Sequence, residues 1–239
     1  MKGWRARIGF LIPPGNPTIE CEMAEMAPLG VSVHFSRMVA PGVGGSLEGQ
    51  EERNRSQIEH IDGTADLLAK VKPNVMMLAH TASSYTLGRH AESALVERLT
   101  ARHRMPVATA FGSVVAALNA LGVKRIALGA PYTEAITLKG KALLEEHGFA
   151  VVRHGILENV TNIFDETPER AYRLGRSVDV PEAEAVFLSG LGMPTISILD
   201  LLERDRGKPA ISAASAMMWN ALRLAGVEAR VPGYGRLLA

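Results

Sequence analysis

Short apolar runs bounded by glycine and proline alternate along this chain with longer stretches of helical periodicity. The runs predict strands over residues 7–12, 31–38, 75–79, 107–110, 125–128, 151–155, 185–189 and 210–213. The stretches between them predict helices over 51–70, 90–104, 135–147 and 168–178. A further helix opens after Pro13-Pro14-Gly15-Asn16-Pro17-Thr18, where Asn16 suits an N-cap and Pro17 the first helical position. Ile19, Met23 and Met26 form its apolar stripe, and Cys21 lies on the far side. Strands alternating with helices imply βα units and a largely parallel sheet. No glycine-rich or charged linker divides the chain.

The pattern also repeats. Ile8-Gly9-Phe10-Leu11-Ile12-Pro13 is echoed by Ile126-Ala127-Leu128-Gly129-Ala130-Pro131, and Met77-Leu78-Ala79-His80-Thr81 by Phe187-Leu188-Ser189-Gly190-Leu191. Pro106-Val107-Ala108-Thr109-Ala110 is echoed by Pro209-Ala210-Ile211-Ser212-Ala213, each leading through an apolar helix to Gly-Val. The landmarks keep their order while their separation shrinks, as a second half with shorter loops would give. The expected fold is therefore α/β: two parallel-sheet halves related by a pseudo-twofold axis, with a cleft between them. The expected division is 1–110, 111–220 and a segment 221–239 packing back on the first half. Ligands of open α/β sheets bind beyond the carboxyl ends of the strands, so the loops after Ile12, Ala79, Leu128 and Ser189 become the candidate site.

Composition narrows the chemistry. The 239 residues carry 26 Lys plus Arg against 25 Asp plus Glu, so a net charge of +1 gives no bulk attraction to nucleic acid or anionic lipid. Only five residues (8–12) of apolar type precede Pro13-Pro14, too few for a signal-peptide core, and no later run reaches membrane-spanning length. A cytoplasmic protein with no nucleic-acid or membrane partner is the expectation. A single cysteine, Cys21, excludes a disulfide framework within the chain, a cysteine-rich zinc site and any mechanism needing two thiols from one chain. Walker A, Gly-x-Gly-x-x-Gly, His-Glu-x-x-His and Gly-x-Ser-x-Gly patterns are absent. No metal or cofactor is expected.

Among the candidate loops, His80 is the only one of seven histidines at a predicted strand end facing the cleft. A histidine there is either a satisfied structural residue or a general acid or base. The turn His80-Thr81-Ala82-Ser83-Ser84-Tyr85 offers hydroxyls and backbone N–H groups to a carboxylate or phosphate. Asn16 caps its helix and can also meet an anion. Across the cleft, Tyr132 can donate its phenol proton, and Gly190 and Gly192 permit close approach of backbone to ligand. Pro14, Ala82, Leu191 and Met193 suggest a partly hydrophobic acid, and residues 41–54, with Gly42-Val43-Gly44-Gly45-Ser46, read as a mobile lid. The helix face bearing Cys21 is left open to a second copy, so a homo-oligomer is an open expectation.

Over nearly its whole length the sequence resembles the aspartate/glutamate racemase superfamily, in the branch of maleate cis-trans isomerases and arylmalonate decarboxylases. Residues 13–18 are similar to the isomerase loop Pro-Ser-Ser-Asn-Thr-Thr; Ala120-Leu121-Gly122-Val123-Lys124-Arg125 and Pro232-Gly233-Tyr234-Gly235-Arg236-Leu237 resemble the decarboxylase. The resemblance implies a cofactor-free enzyme in which each half presents a cysteine at its third-strand turn, or, in the decarboxylase, only the second half does. It maps the substrate-carboxylate donors to Thr81, the backbone at Ala82, Tyr132 and the backbone at Leu191, with Asn16 and Pro14 in the binding loop. His80 and Gly190 stand where the two cysteines would be, so a two-thiol racemase or thiol-adduct isomerase is ruled out. The expectation is an enzyme working through an enediolate on a small carboxylic acid, decarboxylase-like first, with His80 and Tyr132 catalytic. The alternatives are an isomerase, racemase or hydrolase of a related acid, or a carboxylate-binding protein without chemistry.

Overall fold

The computed structural model describes residues 3–239. The first half runs β1 (Ala6–Ile12), α1 (Thr18–Met26), β2 (Val31–Arg37), α2 (Gln50–Glu59), α3 (Ile61–Ala69), β3 (Val75–Leu78), α4 (Thr81–His103), β4 (Val107–Thr109) and α5 (Ala110–Ala120). The second runs β5 (Arg125–Ala130), α6 (Glu134–Glu146), β6 (Ala150–Ile156), α7 (Pro168–Val178), β7 (Ala185–Leu188), α8 (Leu199–Arg206), β8 (Ala210–Ser212) and α9 (Ala213–Leu224). Each half forms a four-stranded parallel sheet, in the orders β2-β1-β3-β4 and β6-β5-β7-β8. The equivalent strands occupy equivalent places, as the repeated landmarks predict.

Every central strand is apolar on both faces, which is why the sequence shows runs rather than alternation. Ile8, Phe10, Ile12 and Met77 meet Leu128, Phe187 and Ile211 in one core shared by both sheets. The intervening residues Leu11, Met76 and Leu78 pack outward under α3 and α4, and Val186 and Leu188 under α7 and α8. Ile19, Met23 and Met26 of α1 are fully buried, each burial stabilising by about 1.5–3 kcal/mol. The last helices of the halves pack together, with Asn220 Nδ2 donating to Ser113 Oγ at 3.1 Å.

Several boundaries differ from expectation. The helix expected over 51–70 is two helices broken at His60. The lid expected over 41–54 ends at Gly49, and Gln50 to Asn54 already belong to α2. Helix α4 begins at Thr81, not residue 90, and breaks at Gly88, whose φ of 71° interrupts the helical path. Helix α8 lacks a predicted counterpart because only Leu199 and Leu202 of its inward face are apolar. Helix α9 continues to Leu224, across the expected 220/221 boundary, and the tail reaches both halves. Arg5 Nη2 donates to Glu228 O at 2.7 Å, and Gly235 N donates to Asp200 Oδ1 at 2.7 Å. Among the described residues no helix is long and apolar enough to cross a membrane.

Candidate active site

Loops from both halves enclose a cavity of about 280 Å³ at the carboxyl ends of the strands. Pro14 and Asn16 follow β1, His80 follows β3, Tyr132 follows β5 and Leu191 follows β7, and all five line it. These are the four loops that the repeat singles out. Thr81, Ala82 and Gly190 stand behind that wall. Thr81 Oγ1 lies 2.9 Å from the Tyr132 phenol oxygen, Ala82 is fully buried, and Gly190 abuts Pro131 and Tyr132.

Asn16 is mostly committed to structure. Its Oδ1 accepts from Thr18 N at 2.9 Å and Ile19 N at 3.0 Å, capping α1. Its Nδ2 donates to Leu191 O at 3.1 Å, and Thr18 Oγ1 donates to Gly192 O at 2.8 Å. The start of α1 is thereby clasped to the loop after β7, and one Asn16 N–H is left for a ligand. Glu22 extends the clasp, its Oε1 accepting from Thr195 N at 2.6 Å and Ile196 N at 3.1 Å. Burial pushes the Glu22 carboxyl up to about 7, against the lowering effect of those two N–H groups.

His80 is the N-cap residue of α4, with extended backbone, and its Nδ1 lies 2.8 Å from Ser83 Oγ. Nε2 is the ring nitrogen left for a ligand. Desolvation first, and then the charge of Arg53, depress its pKa to about 4, so the ring is neutral at pH 7. Tyr132 is pushed the other way: burial raises its phenol to about 12, keeping the proton on oxygen. Tyr85 stacks edge-on against Tyr132 and shares a 2.7 Å hydrogen bond with Ser189 Oγ. Behind the turn, Glu92 accepts from Ser84 Oγ at 2.6 Å and from Thr109 Oγ1, bracing α4 on β4.

The second face of the cavity comes from residues that periodicity did not single out. Gln50, Arg53, Asn54 and Gln57 of α2 all line it. Arg53 is its one permanent cation, and no acidic side chain is among its lining residues. Its guanidinium donates to Glu48 O at 2.7 Å and to Ser46 O, fixing the loop that leads into α2. Asn54 Nδ2 donates to Ala82 O at 3.3 Å and Thr86 Oγ1 at 3.1 Å, tying α2 to the start of α4. The spacing 50, 53, 54, 57 is the available sequence signal, since it is the period of a helix face written in polar residues.

The glycine loop over the cleft is held from the other half. Asn162 Nδ2 donates to Gly44 O at 2.9 Å and Ile163 N to Gly45 O at 2.8 Å, while Ile163 and Phe164 line the cavity. Gly45 has φ +80°, and a Cβ there would overlap Asn162 Oδ1, so only glycine fits. Gly190 has φ +94°, and a Cβ would lie 3.0 Å from Pro131 Cγ and 3.3 Å from Tyr132 Oη. Cys21 is exposed on α1 and does not line the cavity. Among the described residues no three His, Cys, Asp or Glu side chains converge to hold a metal ion.

Relatives match the chain from end to end. A maleate isomerase of Nocardia farcinica is 29% identical over 97% of this chain and 95% of its own. An arylmalonate decarboxylase of Bordetella bronchiseptica is 29% identical over 96% and 95%. The Nocardia farcinica maleate cis-trans isomerase, solved as a cysteine-to-serine mutant with a covalently bound succinylcysteine intermediate, superposes with a TM-score of 0.88 at 26% identity. The superposition covers 98% of each chain. The arylmalonate decarboxylase family pattern matches residues 8–238. With the two four-stranded sheets and end-to-end coverage, this chain belongs to the arylmalonate decarboxylase family, a family of enzymes related to maleate isomerase.

Proposed function

We propose that this protein moves a proton at the carbon next to a carboxylate of a small carboxylic acid, through an enediolate, with His80 as the acid–base group. The carrying observation is that His80 supplies the one imidazole on a cavity wall reached by no thiol. The succinylcysteine route of the Nocardia isomerase requires a cysteine, and the exposed position of Cys21 argues against it here. The Tyr132 phenol, kept protonated and backed by Thr81, and the free Asn16 N–H would stabilise negative charge on the retained carboxylate, usually the largest catalytic contribution.

Decarboxylation is the favoured outcome, because it asks for a single proton transfer. The bond to the leaving carboxylate breaks, its electron pair stays on the α-carbon as the enediolate, carbon dioxide departs, and the carbon takes a proton delivered through His80 Nε2. Water restores the ring. A substrate carboxylate beside the imidazole favours its charged form and supplies the protonation that burial withholds. The neutral resting ring favours a second reading, an isomerase in which His80 removes a proton and returns it elsewhere.

The pH profile separates the two. A donor role gives turnover that rises as pH falls toward 4, whereas a base role gives turnover that is flat at neutral pH and lost below about 4. The test is a panel of malonates, maleate, maleamate and hydantoins followed by NMR in deuterium oxide. Deuterium at the carbon next to a carboxylate supports the enediolate, and tight binding without exchange or turnover refutes the enzymatic reading.

A further inference from the structure

Helix α2 reverses the usual amphipathic order. Its buried residues are Gln50, Arg53, Asn54 and Gln57, which fall within an arc of about 100° on the helix. That arc is normally apolar, because an amide buried without a hydrogen bond gives up its hydration for nothing. Here the amides face the cavity. Gln50, Asn54 and Gln57 are 7%, 1% and 3% exposed, and the carbonyl oxygen of each has no hydrogen-bond partner in the protein. At Asn54 the orientation is fixed, since Nδ2 is spent on Ala82 O and Thr86 Oγ1, so Oδ1 is the end presented.

The wall thus combines one cation, Arg53, with three unpaired carbonyl acceptors, the unbonded amide N–H groups of Gln50 and Gln57, and no acid. An aryl ring laid on it would leave the acceptors unpaired. A second carboxylate would leave the fixed Asn54 acceptor unpaired, with Arg53 already turned toward Ser46 and Glu48. A group that carries N–H donors beside a carbonyl satisfies both the acceptors and the glutamine amide N–H groups. We propose that the substrate is a carboxylic acid that also carries a carboxamide or ureido group, whose N–H donors are read by Gln50, Asn54 and Gln57. This inference rests on the carboxylate-binding cavity of the proposed function and names the group at the other end of the ligand.

Succinamate, levulinate and succinate test it by calorimetric titration at pH 7. Levulinate places a methyl where succinamate has its amide nitrogen, and succinate places a charged oxygen there. The expected result is succinamate binding at least tenfold tighter than either, since a site built for hydrogen bonding discriminates strongly against ligands that lack the donor. Gln50→Leu and Gln57→Leu each shrink that ratio. Equal affinity for the three acids in the wild type overturns the inference and leaves the carboxylate reading standing. Binding of none of them overturns both. The wild-type comparison needs no variant to fold, and for the variants a preference that survives both substitutions also refutes the assignment.

Discussion

Replacing Glu22 with Gln is expected to stabilise the protein at alkaline pH and to change it little in acid. Glu22 holds the segment at Thr195–Ile196 to α1, and its second oxygen has no hydrogen-bond partner in the protein. Burial, opposed by the two N–H groups and aided by the neighbouring Glu25 charge, raises the carboxyl from 4.5 to about 7. A carboxyl that binds its proton more tightly when folded gives greatest stability below 4.5. Stability then falls as pH climbs from 4.5 to about 7 and stays low above. The shift corresponds to roughly 3 kcal/mol at full ionisation. Gln retains the accepting oxygen and removes the charge. Glu22→Gln is therefore expected to gain roughly 3 kcal/mol over wild type at pH 8 and less than about 1 kcal/mol at pH 5. In a chain of this size the pH 8 gain is a rise of about 6–12 °C in Tm. Urea denaturation of both proteins at the two pH values measures it. A destabilised variant at pH 8, or the same difference at both pH values, refutes the reasoning.

Three other substitutions probe the site. Gly190→Ala forces a side chain into a φ of +94° against Pro131 and is expected to cost about 1–3 kcal/mol in thermal unfolding. Asn16→Ala removes both cap bonds and the clasp to Leu191 O, and a loss of about 1–3 kcal/mol in denaturant titration is expected. Tyr132→Phe keeps the aromatic packing against Tyr85 but removes the cavity-facing hydroxyl. Its expected effect is a fall in kcat of about 10²–10³-fold, read by steady-state kinetics on the substrate that the NMR panel identifies, with Tm lowered by the loss of the buried hydrogen bond to Thr81.

Strand ends and the loops they carry were legible because each central strand is a short, doubly buried apolar run and the second half repeats the first. Phe10 and Leu128, and likewise Met77 and Phe187, sit in the shared core at equivalent places in their sheets, and the same alignment brings His80 and Leu191 to one cavity. The α2 face was not legible, because hydrophobic periodicity is blind to a helix whose buried stripe is Gln50, Arg53, Asn54 and Gln57. The adjoining glycines carried the apparent loop on to residue 54, into the first turn of α2. The start of α4 was missed for a similar reason: Thr81, Ser83 and Ser84 are typical of turns, yet all are fully buried. The neutrality of His80 also lies beyond one-dimensional reading, since it arises from burial and from Arg53, 27 positions away in the sequence but facing the same cavity.

The most direct measurement is the rate of deuterium incorporation next to the substrate carboxylate, by NMR at pH 7, in wild type, His80→Gln and Cys21→Ser. A cavity whose proton transfer runs through His80 predicts a loss of about 10²–10⁴-fold in His80→Gln and an unchanged rate in Cys21→Ser. Undiminished exchange in His80→Gln, or loss of exchange in Cys21→Ser, would contradict it.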